Sequence, residues 1–129
     1  MSRYITIDGF ESLTKQQMFD MSAKHVLANG RRSTDAGGCV YSGIGCAAAP
    51  FIKPEDREAA DSAEAGSTWP FLCSANLVPG HNSGLVAAMQ RCHDSADSNG
   101  FVKDFKKRML EVAEWYNLSA DVLKTNILD

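Results

Sequence analysis

The stretch "GGCVYSGIGCAAAPFI", residues 37–52, decides how this chain is read. Cys39 and Cys46 flank Ser42-Gly43-Ile44-Gly45, a glycine-bearing segment with β-compatible or small residues on both sides. That pattern signals a β-hairpin. Pairing across the turn would bring the two cysteine side chains close together. As metal ligands they would need partners from Cys73, Cys92, His81 or His93, and no zinc-type spacing links these residues. "GGCVYSGIG" has no lysine after it and no strand-to-helix context, so it is neither a P-loop nor a dinucleotide fingerprint. The expectation is a hairpin whose cysteines are small buried side chains.

Helices dominate on either side. Thr14 and Gln17 make a capping box, and Asn29-Gly30 supplies a left-handed stop. Between them Phe19, Ala23, Val26 and Leu27 share one face, which predicts a helix over 15–29. Upstream, "YITI" at 4–7 reads as a short strand. "PEDREAADSAEAG", 54–66, reads as a short acidic surface helix opened by Pro54. Residues 67–84 are broken by two prolines and two glycines and read as a long loop carrying Trp69 and Phe71. A third helix is expected near 84–95, capped by Asn82 or Ser83, with Leu85, Ala88, Met89 and Cys92 buried. In the next, Val102, Phe105, Met109, Val112 and Tyr116 form the apolar stripe, while Lys103, Lys106, Lys107, Glu111 and Glu114 lie mostly off it. Asn117 ends that helix, and Ser119 can cap a last short one. The predicted fold class is α+β: one helix-dominated domain over 1–129 around a small antiparallel hairpin, which residues 4–7 can extend to three strands.

Composition narrows function. The 129 residues suffice for one core, and 44% hydrophobic with 22% charged residues is ordinary for a soluble globular chain. A net charge of -3 argues against a nonspecific nucleic-acid binder. The opening "MSRYITIDGF" has no long apolar core and does not read as a signal peptide, and no run approaches the roughly 18 apolar residues of a membrane span. A cytoplasmic chain with four reduced cysteines is therefore expected, without membrane association.

Each candidate for chemistry has a plainer structural alternative. Cys46 or Cys73 with His81 or His93, and with Asn82 or Asp94, could assemble a cysteine nucleophile, but no spacing is diagnostic. His93 and Asp94 are neighbours on one helix and are not expected to face each other. "LEVAEWYNLSADVLKTNILD" echoes a helix-turn-helix, yet its second helix offers only Lys124, Thr125 and Asn126 against Asp121 and Asp129. No catalytic residue, metal or cofactor is assigned. The binding candidates are Trp69 and Phe71, as an exposed aromatic anchor for which simple docking on the core is the plainer alternative, with Tyr41, His81 and His93.

The residues also resemble a loose group of small bacteriophage and prophage proteins. The matching features are Leu13, Thr14, Gln17, Phe19 and Asp20; His25, Leu27, Gly30 and Ser33; and the Cys39-x-Tyr41 to Cys46-Ala47 segment. "MQRCHD" and "VAEWYNLS" match more weakly. This chain departs from the group at Ala48-Ala49 and over 54–83. The resemblance implies a phage-type origin and action in a bacterial cell, and no activity. Together these features lead to an expected non-enzymatic accessory protein that binds and modulates or inhibits a host or phage protein. A cysteine-dependent hydrolase or transferase and a helix-turn-helix regulator are the alternatives. Nucleic acid is less favoured as a partner, and a homo-oligomer is allowed.

Overall fold

A computed structural model describes residues 4–30, 34–35, 38–39, 41, 46–62, 69–97 and 99–124. Among the described residues five α-helices carry the architecture: α1 (Lys15–Asn29), α2 (Arg57–Ser62), α3 (Trp69–Ser74), α4 (Ser83–Ser95) and α5 (Phe101–Tyr116). Single 3-10 turns at Phe10–Ser12, Ala49–Phe51, Pro54–Asp56 and Asp121–Lys124 join or flank them.

The α+β expectation is corrected here, because the fold is helical. Cys39 pairs by its backbone with Thr34, in a two-residue antiparallel rung of Thr34–Asp35 on Gly38–Cys39, and not across the glycine turn. The expected second limb is wound instead of extended: Ala47 and Ala48 turn, and Ala49–Phe51 is a 3-10 turn with Pro50 inside it. Alanine has little β preference, and proline can neither donate to a ladder nor sit within a central strand. The Tyr41 amide donates to Asp61 Oδ1 at 2.6 Å. The expected turn at 42–45 lies outside the described residues. Among the described residues the 4–7 segment makes one β-bridge, Thr6 with Ile52, and no strand. It is held by two loops: Ile5 N–H donates to the Leu77 carbonyl, Ile7 N–H to Phe51, and Lys53 N–H back to Ile5.

The helix boundaries follow local chemistry closely. In α1, Gln17 N–H donates to Thr14 Oγ1 (3.1 Å) while Thr14 N–H donates to Gln17 Oε1 (2.8 Å). Gly30, at φ 69°, ends the helix with its N–H on the Val26 carbonyl. Met18, Phe19, Ser22, Ala23, Val26 and Leu27 are buried along one face. The buried Ser22 hydroxyl donates to the Ala47 carbonyl at 2.7 Å, tying α1 to the wound segment. Asn117, at φ 58°, closes α5, and Ser119 Oγ accepts the Asp121 N–H at 3.2 Å.

Two details differ from expectation. Residues 69–74 form a helix within the predicted loop, because Pro70 sits in a first turn where its missing N–H costs nothing. In α5 the buried face comprises Phe101, Phe105, Met109 and Ala113, with Val102, Val112 and Tyr116 only half-buried. Phe105 and Met109 stand at the centre of both sets, so the predicted face is the inward one and only the depth of its flanking positions differs.

One core runs from Phe10 to Leu123. Phe10 meets Phe51 edge-on at 5.7 Å, and Trp69 packs on both rings at 5.7 and 6.3 Å. α4 lies centrally, touching α1, α3 and α5, so α5 has one face on α4 and one on solvent. Among the described residues no helix is long and apolar enough to cross a membrane.

Candidate functional site

Nucleophilic chemistry would need an activated thiolate. The thiols found here are in the opposite condition. Cys46 is buried and disulfide-bonded, which corrects the expectation of four reduced cysteines. Cys73 and Cys92 are free. Burial pushes the Cys92 thiol up to about 12, and Arg108 and Arg91 only partly oppose it. Burial also raises Cys73, whose Sγ–H donates to the Pro79 carbonyl at 3.6 Å. The side chain of Cys39, the remaining cysteine, lies outside the described residues.

The polar residues singled out in the sequence form structural ties. Gln90 Nε2–H donates to the Tyr41 hydroxyl and Gln90 Oε1 accepts the Trp69 N–H, both at 2.7 Å. All three residues are buried. Desolvation lifts the Tyr41 phenol well above its usual range, against the smaller pull of the Gln90 hydrogen bond. His93 is buried, with its ring edge-on to Phe101, and its Nδ1 lies 2.8 Å from Asp94 Oδ1. The doubt about a His93–Asp94 contact is thus corrected, since the half-exposed carboxylate reaches back along the helix. His81 Nε2–H donates to the Leu13 carbonyl at 2.8 Å and its ring meets Phe10 edge-on. That bond fixes the α3–α4 connection to the start of α1. Among the described residues no three His, Cys, Asp or Glu side chains cluster as metal ligands.

Trp69 is not an exposed anchor, being 0% exposed at the centre of the aromatic cluster. Its indole N–H has no hydrogen-bond partner among the described residues. Phe71, on the outer side of the same helix, is 37% exposed.

The strongest surface feature was not singled out in the sequence. Trp115, on the last turn of α5, is 84% exposed, and Leu110 on the same helix is 47% exposed. Trp115 borders a groove of about 220 Å³ between α4 and α5, with Ala88, Arg91, Glu111, Val112 and Tyr116 as its other walls. A signal existed: Trp115 and Leu110 are large apolar residues out of phase with the stripe through Phe105 and Met109. At the other end of the α4–α5 hairpin lies a wider polar cleft of about 540 Å³, reaching from Ser95 to Arg108. There Asp104 Oδ2 accepts from Asp97 N–H (2.8 Å) and Arg108 Nε–H (3.0 Å), and those two donors hold its carboxyl below the usual range. These bonds close the interhelical turn on itself.

Comparison with protein-family models, curated proteins and solved structures gives no match to this chain. The geometry alone therefore ranks the candidates, and the α4–α5 groove beside Trp115 stands first.

Proposed function

We propose that this chain is a non-enzymatic accessory protein that binds a macromolecular partner through the α4–α5 groove. The observation that carries this reading is Trp115, a large aromatic held 84% in water beside arginine and tyrosine. Tryptophan, tyrosine and arginine are the residues that dominate binding energy at protein interfaces. An exposed indole on a rigid helix loses little entropy on docking. The raised thiols and the disulfide at Cys46 weigh against the thiol-enzyme reading. The helix-turn-helix reading is weakened at Val122 and Leu123, which are buried in a single 3-10 turn where a recognition helix would present its surface.

The resemblance to phage and prophage proteins supports a partner in a bacterial host or its phage. Wild-type chain and Trp115→Ala, immobilised in parallel, are the test. A partner held by the first and lost by the second, with equal helicity of both, supports the reading. Equal capture by both would reject the groove.

A cytoplasmic place of action is part of this proposal. The disulfide at Cys46 pulls the other way, because cytosolic reductants keep thiols apart. Alkylation in acid-quenched, denatured cells discriminates between compartments. Labelling of all four cysteines fits the cytoplasm, whereas labelling of only Cys73 and Cys92 fits an oxidising compartment.

A further inference from the structure

The two hollows of the α4–α5 hairpin lie along one seam. On α4 it is bordered by Ala88, Arg91 and Ser95, and on α5 by Asp104, Arg108, Glu111 and Trp115, each lining either the groove or the cleft. Both rows step by three or four residues, so each keeps to one flank of its helix. A mean step of about 3.5 is the spacing that holds a seam against a further helix. From Asp104 to Trp115 the seam runs roughly 17 Å, about three helical turns.

At the Trp115 end the two walls carry opposite charges. Arg91 on α4 and Glu111 on α5 are both exposed, and neither has an ion-pair partner among the described residues. Arg108 and Asp104, by contrast, are bonded to each other. The rest of the groove is apolar or aromatic: Ala88, Val112, Trp115 and Tyr116. Helix backbones satisfy their own N–H and C=O groups, so the seam offers no free ladder for an extended strand to join. We propose that the partner held here is an amphipathic helix, laid along the seam as a third helix. Its apolar stripe meets Ala88, Val112 and Trp115. A carboxylate on one border pairs with Arg91, and an ammonium or guanidinium on the other pairs with Glu111, as flanking charges choose partners in coiled coils. Two acidic borders would set like charges against Glu111, and two basic ones against Arg91. This inference rests on the groove being the binding face.

Three synthetic peptides of about fourteen residues, cross-linked to hold a helix, test it. All share one leucine stripe. Their borders are one acidic and one basic, both acidic, or both basic. Docking is read from peptide anisotropy and from Trp115 emission, which should move to shorter wavelength while the enclosed Trp69 stays constant. At about 0.15 M salt the wild-type chain should hold the mixed peptide at least about threefold more tightly than either of the others. Arg91→Glu should shift the preference to the doubly basic peptide, and Glu111→Arg to the doubly acidic one. A preference that follows the walls cannot come from lost folding. Equal binding of all three by wild type, a ranking unmoved by the substitutions, or equal binding of a proline-broken mixed peptide would each overturn the proposal. A doubled mass of the chain alone, abolished by Trp115→Ala, would seat a second copy there and overturn it too. No binding of any peptide, with capture still dependent on Trp115, rejects the helical partner and leaves the groove. Failure of both rejects the groove itself.

Discussion

Gln90 uses both ends of one buried amide, donating to the Tyr41 hydroxyl and accepting from the Trp69 backbone. Gln90→Leu keeps the volume but removes the acceptor of the Trp69 N–H and the donor to the Tyr41 hydroxyl. It should cost about 2–4 kcal/mol, read as a lower urea midpoint. Cys92 makes a pH prediction of definite sign. Its folded pKa near 12 lies above the ordinary 9.0, so the unfolded chain releases that proton first. The stability gained by burying the neutral thiol is complete below pH 9.0 and drains away as pH rises toward 12. Urea midpoints compared between wild type and Cys92→Ala across that range should show the shallower loss in the variant. Iodoacetamide should reach Cys92 only on unfolding. The residue choices Thr14, Gln17, Gly30 and Asn117 were legible in sequence because each acts on backbone within a few positions of itself. Gln90 was not legible, since its partners come from positions 41 and 69.

At the scale of elements, α5 is the clearest case. Phe105 is fully buried, and Phe105→Ala should cost about 3–5 kcal/mol in chemical denaturation. A loss under about 1 kcal/mol would mean that the inward face is misplaced. Gly100 precedes the helix at φ 79°, with open space where a Cβ would stand. Gly100→Ala should therefore cost about 1–2 kcal/mol through backbone strain alone, without a clash. The helix and its ends could be read from periodicity and caps. How deeply each flanking position is enclosed could not, because Val102 and Val112 compete with Phe101 and Ala113 for the inside. Packing on α4 decides that competition. The short helix at 69–74 was missed for a related reason: Pro70 looks like a breaker until its place in a first turn is known.

For the molecule as a whole, stability and binding should separate. Trp115 contributes little to the core, so Trp115→Ala should shift the unfolding free energy by no more than about 0.5 kcal/mol while removing partner capture. Trp69, fully enclosed, should show the reverse: its replacement by alanine should cost about 3–5 kcal/mol and act on binding only through unfolding. The candidate site was half legible. The sequence pointed to exposed aromatics as anchors and named Trp69 and Phe71, because prolines and glycines around them suggested a loop. The aromatic that water reaches most is on a regular helix instead.

The amino-acid sequence by itself determined where most helices begin and end, that the chain is helix-rich, and that no ready-made catalytic spacing is present. These are short-range properties, governed by caps, periodicity and residue type. Tertiary structure decided the rest. Residues 46–51 are wound because Ala47 accepts from Ser22 and Phe51 packs on Phe10 and Trp69, contacts that span the chain and outweigh a local hairpin preference. The same closure buries Trp69 and leaves Trp115 outside, since one compact core has room for only one face of each helix.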